Sequence, residues 1–234
     1  MATDNKGFLY EEALNDSLKK YGLQSPSFQP AASNPNAPDA ELLYNKKKHK
    51  VEVKLDTKVD FGQGSLDYNV KTKKWGLGGA NTPAAAQMRE FLTSIGVVDI
   101  VNKKWGSKGP PRKYTVPSSK YTSKDVEHDY AKFKDEFVDI PGSAVADYYN
   151  SKDTYYIQIG GYGLYYMGRD IAKLGVPSFN LKLKLRIRIK RGGSTPIYNY
   201  RFTTAIQAVS GTLTKSPFNL DDVDYLKALK ARSS

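Results

Sequence analysis

A strict alternation of apolar and basic residues over positions 181–190 constrains the fold more than any other feature of this sequence. Leucine or isoleucine occupies every odd position, and lysine or arginine every even one. Successive side chains of a β-strand point to opposite faces of a sheet. The pattern therefore predicts a strand with one buried face and one wholly basic face, and the chain must contain a sheet that packs on one side.

Helical and extended patterns elsewhere predict a mixed α/β fold. Residues 5–22 carry apolar side chains at helical spacing, and residues 83–96 begin with proline and end with glycine, so we predict two helices. Residues 40–56 have the pattern of a hairpin with a polar turn, and further strand follows at 65–75. The stretch 24–38 is rich in proline and predicts a loop.

The second half of the chain predicts a basic segment followed by β-rich structure. Residues 101–124 contain seven basic residues, no acidic one and three prolines, which favours an irregular, positively charged loop. Residues 125–139 predict a charged helix whose acids, Asp129 included, lie on the surface. Tyrosine-rich strand patterns dominate after residue 140, and residues 221–232 predict a closing helix.

Composition narrows the class of function. Thirty-six Lys and Arg against 24 Asp and Glu give a formal charge of +12, which attracts polyanions and makes nucleic acid the leading partner class. The alternatives are a basic protein without a polyanion ligand, or one that acts at ribosomes or membranes. The absence of cysteine excludes disulfides, thiolate metal sites and cysteine nucleophiles. His49 and His128 are the only histidines in the sequence, so catalysis that depends on several histidines is not favoured.

The sequence also lacks targeting or membrane-spanning patterns and an ATP-binding motif. Residues 1–12 lack the charged and then apolar pattern of a secretion signal, and no stretch of about 18 apolar residues occurs. The chain also has no Gly-X-X-X-X-Gly-Lys-Ser/Thr motif, so an ATP-driven motor is not indicated. We expect a soluble intracellular protein, cytoplasmic, or in the host cytoplasm if a phage encodes it.

Three residues around the predicted hairpin suggest chemistry on a phosphodiester. Glu52 and Lys54 are two apart on a strand and share a face, and Asp39 begins the paired strand. Carboxylates suit a hard cation, which can neutralise phosphate charge and make bound water more nucleophilic. Lys54 beside that water would favour its deprotonated form. The alternative is the ordinary solvated face of an alternating strand.

Pro38-Asp39, followed after twelve residues by Glu52-Val53-Lys54, resembles the motif of the PD-(D/E)XK nuclease superfamily. The resemblance implies an α/β (α+β), restriction-endonuclease-like core, in which a mixed central sheet is flanked by helices. It also implies Mg²⁺ bound by Asp39, Glu52 and the Val53 carbonyl, with Mn²⁺ able to substitute. In that family the lysine, here Lys54, positions or activates the attacking water.

Two further positions are similar to that family. Its first helix often supplies an acid after a Gly-X-X-aromatic pattern, which Gly7 to Glu11 matches, and a later glutamine often reaches the site, for which Gln63 is the candidate. Glu11 lies on the same helical edge as two leucines, where an unpaired carboxylate is costly and a cation would offset the cost. The alternative for Glu11 is an acid at the edge of the buried helix face that pairs with a lysine. The alternative for Gln63 is an ordinary turn residue.

We predict a nuclease core over 1–100, a basic loop and charged helix over 101–139, and a β-rich substrate-binding part over 140–234 packed on the core. Ten cationic side chains are candidates for contacts with DNA phosphates. They are Lys103, Lys104, Lys108, Arg112, Lys113, Lys182, Lys184, Arg186, Arg188 and Lys190. The alternative for the last five is a solvated sheet face that discourages edge pairing.

The function predicted from these features is Mg²⁺-dependent endonucleolytic hydrolysis of DNA. A homodimer would supply two sites for cutting both strands of a duplex. A monomeric nicking enzyme, an exonuclease or a junction resolvase fits the same residues. Two alternatives involve no cleavage: a nucleic-acid-binding protein that keeps the nuclease-like fold, and a basic structural protein in which the motif is a coincidence.

Overall fold

The computed structural model describes residues 5–29, 37–191 and 200–233. The helices are α1 (Lys6–Lys20), α2 (Pro83–Ser94), α3 (Val97–Trp105), α4 (Arg112–Thr115), α5 (Ser123–Lys132), α6 (Gly142–Asn150) and α7 (Val223–Arg232). The strands are β1 (Ala40–Tyr44), β2 (Lys47–Lys54), β3 (Gly62–Asn69), β4 (Lys74–Gly78), β5 (Glu136–Asp139), β6 (Thr154–Ile159), β7 (Gly163–Tyr166), β8 (Leu183–Arg191) and β9 (Tyr200–Ala208). The predicted mixed α/β (α+β) class is confirmed.

The chain forms two compact units that interleave along the sequence. Unit 1 comprises residues 1–59, 141–182 and 208–234, and unit 2 comprises residues 60–140 and 183–207. This division differs from the linear one predicted at residues 100 and 139. The reason is the parallel pairing of β2 with β6, because parallel neighbours require a long connection, and here that connection contains most of unit 2.

Unit 1 contains a mixed four-stranded sheet in the order β1-β2-β6-β7, in which only the β2–β6 pair is parallel. β1 and β2 form the predicted hairpin. Asn45 and Lys46 turn the chain with φ of 49° and 61°, the left-handed conformation that a two-residue hairpin turn requires. Val51 and Val53 are buried on one face, while the alternate residues of β2 are half-buried on the other.

Helix α1 confirms the prediction for residues 5–22 and packs against β1 and β2. The Asn5 side chain caps it by accepting a hydrogen bond from the Gly7 N–H. Leu14 and Leu18 are fully buried in one core with residues of β1, β2, β6 and α7. Burial of these leucines fixes which side of the helix faces the sheet.

Unit 2 contains a five-stranded sheet in the order β4-β3-β9-β8-β5. Its core is aromatic: Trp75 lies 5.1 Å from Trp105, 5.5 Å from Phe133 and 4.9 Å from Phe202, measured between ring centroids. The predicted strand at 181–190 is confirmed by β8, whose apolar residues are buried. Residues 192–199, which follow β8, lie outside the described residues, as do residues 30–36 of the predicted loop.

Two predictions in unit 2 are wrong. Residues 101–105 belong to helix α3, because Val97, Val101 and Trp105 form a buried helical stripe that outweighs the charged residues between them. Residues 125–139 are helix α5 followed by strand β5, and Asp129 is fully buried. Its burial is possible because two backbone N–H groups and the Tyr200 hydroxyl donate to the carboxylate, a feature that charge patterning cannot reveal.

Helix α6 was also missed, since the region after residue 140 was predicted to be β-rich. Val145 and Tyr149 are buried one helical turn apart and pack the helix on β6. The closing helix predicted at 221–232 is confirmed by α7. Among the described residues, no helix has both the length and the apolar character needed to cross a bilayer.

Candidate active site

The candidate site lies in unit 1, where β1 begins and β2 ends. Ala40 pairs with Val51 across the hairpin, which brings the preceding Asp39 beside the last residues of β2. The Asp39 Oδ2 accepts a hydrogen bond of 2.9 Å from the Val53 N–H. This bond fixes the carboxylate at the strand that carries Glu52 and Lys54.

The structure brings Asp39, Glu52 and Lys54 together. The Lys54 ammonium donates directly to Glu52 Oε1, and its Nζ lies 4.0 Å from Asp39 Oδ2. The three side chains are only 21%, 14% and 17% exposed, respectively. One ammonium thus holds two carboxylates in a partly enclosed position, where charge interactions are stronger than in bulk water.

This crowding changes the ionisation of both acids in different directions. Burial, together with the negative charge of Glu52, raises the pKa of Asp39 to about 6. Burial alone would raise the pKa of Glu52 as well, but the charges of Lys54 and Lys152 outweigh it and leave that pKa below its usual value. For Lys54, the neighbouring carboxylates outweigh burial and raise its pKa. The Asp39 carboxylate is therefore the member whose charge is least compensated.

Glu11 flanks this group from helix α1. Burial, followed by the charge of Asp39, raises the pKa of Glu11 to about 7. The buried Asn15 ties the helix to the site, because its Nδ2 donates hydrogen bonds of 2.8 Å to the backbone carbonyls of both Glu11 and Asp39. Gln24 donates in turn to the Asn15 Oδ1 at 2.6 Å. This amide network joins α1 to the start of β1.

Sequence reasoning missed two contributors that come from helix α6 and the turn after it. The Tyr149 hydroxyl donates to Glu52 Oε1 at 3.3 Å, and the positive charge of Lys152 lowers the pKa of both Asp39 and Glu52. The Lys152 Nζ lies 4.9 Å from the ring centroid of Tyr149. The four-residue spacing of Val145 and Tyr149 fits one face of a helix and one face of a strand equally, so it gave no signal for α6.

The chemistry of the donors suits a hard divalent cation. Asp39 and Glu52 offer carboxylate oxygens, and the raised pKa values of Asp39 and Glu11 report buried negative charge that nearby cations do not fully balance. Within residues 5–29, 37–191 and 200–233, however, no three His, Asp or Glu side chains are grouped closely enough to hold a metal ion. The described geometry is thus a two-carboxylate site bridged by Lys54, with Glu11 nearby.

Gln63, which was predicted to reach the same site, belongs to unit 2. It lies on β3, where its Oε1 accepts a hydrogen bond of 2.6 Å from the Lys190 Nζ. Gln63 thus has a partner within its own unit, while Glu11, Asp39, Glu52 and Lys54 all belong to unit 1.

Several of the predicted DNA-binding cations have partners within unit 2. On β8, Arg186 pairs with Asp135 at 2.5 Å, Arg188 pairs with Asp60 at 2.5 Å, and Lys184 lies 4.5 Å from the ring centroid of Phe137. Lys104 and Lys108 both approach Glu136, at 3.4 and 3.5 Å. Lys103, Arg112 and Lys182 are exposed, and Lys113 is half-buried. Of the four cations on the basic face of β8, Arg186 and Arg188 are thus paired with carboxylates of unit 2.

No protein-family model matches the chain, and no curated protein matches it. Among solved structures, the chain is similar to HhaI endonuclease in complex with DNA, with a TM-score of 0.49 and 12% sequence identity. The alignment covers 95% of this chain and 98% of that one. Roles for the residues of this chain rest on its own geometry.

Proposed function

We propose that this chain is a divalent-metal-dependent nuclease that hydrolyses phosphodiester bonds of DNA. One observation carries the proposal: the carboxylates of Asp39 and Glu52 flank the Lys54 ammonium in a partly enclosed site at the end of β2. A purely structural surface ion pair has no need of a second, poorly compensated acid with a raised pKa.

The residues that would hold the ion are Asp39, Glu52 and the carbonyl of Val53, with Glu11 beside them. Mg²⁺ is the cation that these hard oxygen donors suit, and Mn²⁺ would substitute. When bound, the ion would offset the negative charge that builds on the phosphate and lower the pKa of a bound water.

The chain's own groups contribute orientation and charge. The hydrogen bond from the Val53 N–H holds Asp39 Oδ2, and the Tyr149 hydroxyl holds Glu52 from the side of α6. Lys54 supplies a fixed positive charge that would orient the attacking water and favour its deprotonated form. Lys152 adds a second positive charge on the same group of acids.

DNA is the proposed substrate because the chain carries a formal charge of +12 and exposes cations that no acid neutralises in the described part of the chain. The exposed Lys103, Arg112 and Lys182 are the cations that would contact phosphates. Cutting both strands of a duplex would take two sites, which a homodimer supplies. A single site would nick.

The test is a cleavage assay on supercoiled, linear, single-stranded and branched DNA, with Mg²⁺, Mn²⁺ or EDTA. We expect metal-dependent products from wild type, and loss of cleavage with retained DNA binding for Asp39→Asn and Glu52→Gln. The matched controls are Asp16→Asn and Glu12→Gln, which make the same chemical changes at exposed positions of α1 and should cleave normally. If every DNA substrate stays intact with either metal, the proposal is wrong.

A second candidate function has one observation in its favour. Lys54 already neutralises Glu52 without any metal, and the described residues contain no group of three metal ligands. A nucleic-acid-binding protein without catalysis would have the same arrangement. It predicts DNA binding that is unchanged by EDTA and by Asp39→Asn, and no cleavage by wild type.

A further inference from the structure

Unit 2 contains a surface pocket of about 390 Å³. Its walls come from four separate segments: strand β3, the loop after β4, helix α4 and strand β9. The volume falls within the range of small-molecule pockets, about 300 to 1,000 Å³. The pocket is therefore large enough for a ligand rather than a single ion.

Two cations line the pocket, Lys113 from α4 and Arg201 from β9. Across the described ranges, no carboxylate lies within ion-pair distance of either one. Burial, followed by the positive charge of Arg201, lowers the pKa of Lys113. The negative charges of Asp67 and Asp129 oppose this effect only in part, and an anion placed between the two cations would relieve the remaining cost.

The lysine is held in place by a buried anchor. Asp129 is fully buried and accepts hydrogen bonds of 2.8 and 3.0 Å from the backbone N–H groups of Arg112 and Lys113, at the start of α4. It also accepts from the Tyr200 hydroxyl at 2.5 Å, and the Lys113 ammonium donates to the Tyr200 carbonyl. The position of Lys113 is thus fixed by bonds to Asp129 of α5 and to Tyr200 of β9.

The other lining residues supply flat and polar surface. The ring of Tyr114 stacks on that of Phe202, with centroids 5.9 Å apart and planes inclined by 27°. Ser65 and Asp67, two apart on β3, add a hydroxyl and a carboxylate, and the Tyr114 hydroxyl donates to Asp67 Oδ1 at 3.1 Å. A lone anion would use only the cations, whereas these acceptors suit the N–H and O–H groups of a base or sugar.

We propose that this pocket binds one nucleotide, with its phosphate between Lys113 and Arg201 and its sugar or base against Ser65, Asp67 and Tyr114. Arg and Lys are the side chains that bind phosphate most readily, and aromatic rings accept nucleobases by stacking. The nucleotide is either free or one residue of a nucleic acid chain. The proposal is independent of the nuclease proposal, since it involves neither a divalent ion nor cleavage.

The experiment measures binding in EDTA by wild type, Arg201→Gln, Lys113→Gln and the control Lys71→Gln. Lys71 is exposed in the turn between β3 and β4, so its replacement removes the same charge from the same unit outside the pocket. One arm titrates nucleoside monophosphates, with the matching nucleosides and inorganic phosphate as comparisons. The other arm titrates a single-stranded oligonucleotide without terminal phosphates, at several salt concentrations.

Each outcome either distinguishes a free nucleotide from one residue of a nucleic acid chain or shows that the pocket binds neither. Arg201 is exposed, so Arg201→Gln should fold normally, and a thermal melt checks both pocket variants. If Arg201→Gln and Lys113→Gln each weaken monophosphate binding about tenfold, as expected for one lost charged hydrogen bond, and Lys71→Gln does not, the ligand is a free nucleotide. The same pattern with the oligonucleotide alone, accompanied by a lower salt slope, assigns a phosphodiester. If folded pocket variants bind like Lys71→Gln in both arms, the proposal is wrong.

Discussion

Asp39→Asn and Glu52→Gln are expected to change stability in opposite directions, although both should abolish the proposed cleavage. The pKa of Asp39 is raised to about 6 in the folded protein, so ionisation of this carboxyl destabilises the folded state relative to the unfolded chain, and the full cost is present above that pH. Raising a carboxyl pKa from 3.8 to about 6 corresponds to at most roughly 3 kcal/mol, since each pKa unit is about 1.4 kcal/mol. Asn removes that cost and still offers an oxygen to the Val53 N–H.

We therefore expect Asp39→Asn to leave the free energy of unfolding at pH 8 unchanged or to raise it by about 1 to 2 kcal/mol. The sign follows from linkage: a carboxyl whose folded pKa is raised costs nothing below its unfolded pKa and destabilises as pH rises through about 6. The gain over wild type should accordingly shrink as pH falls from 6 to 4.

Glu52→Gln should do the reverse. The pKa of Glu52 is lowered, so its ionised form is favoured in the folded state, and Gln leaves Lys54 with only the more distant Asp39. Removing one partner of a largely buried ion pair costs on the order of 2 kcal/mol or more.

Urea denaturation in EDTA measures both changes, with Asp16→Asn and Glu12→Gln as exposed controls. A loss of more than about 1 kcal/mol in Asp39→Asn, together with an unaffected Glu52→Gln, would refute the electrostatic reasoning.

Three other predictions concern the site and the aromatic core. Lys54→Met leaves the acids without their main positive charge, so we expect a lower melting temperature in EDTA and a larger gain from added Mg²⁺ than wild type shows; an equal gain contradicts this. Asn15→Ala removes the hydrogen bond that joins α1 to the Asp39 carbonyl, together with the one to Glu11 within the helix, so we expect a loss of roughly 1 to 3 kcal/mol in urea denaturation and slower cleavage at saturating Mg²⁺; full activity would show that α1 does not position the site. Trp105→Ala opens the aromatic core of unit 2, and we expect a loss of about 3 to 5 kcal/mol by denaturation, whereas exposed Lys103→Ala should cost less than about 0.5 kcal/mol.

The sequence predicted those parts of the fold in which the hydrophobic periodicity agrees with the capping and turn residues at the ends of each segment. Helices α1 and α2, the β1–β2 hairpin and strand β8 follow from patterns that lie within single segments. The grouping of Asp39 with Glu52 and Lys54 also follows, because a short hairpin fixes the register of its two strands.

The features that sequence reasoning missed depend on partners distant along the chain. β2 pairs with β6 about a hundred residues later, which places α6, Tyr149 and Lys152 beside the site. Asp129 is buried because backbone N–H groups of α4 and the Tyr200 hydroxyl satisfy it. The pairing of β2 with β6 has no signal within either segment. The burial of Asp129 has none either, because a charged residue in a charged helix normally faces solvent.

The proposed site is tested most directly by the binding of Mn²⁺ to the protein without DNA, measured by calorimetry and by electron paramagnetic resonance. We expect one divalent ion bound per chain, with binding lost in Asp39→Asn and in Glu52→Gln and retained in Asp16→Asn and Glu12→Gln. Equal Mn²⁺ affinity in all five proteins, or no binding by wild type, would contradict it.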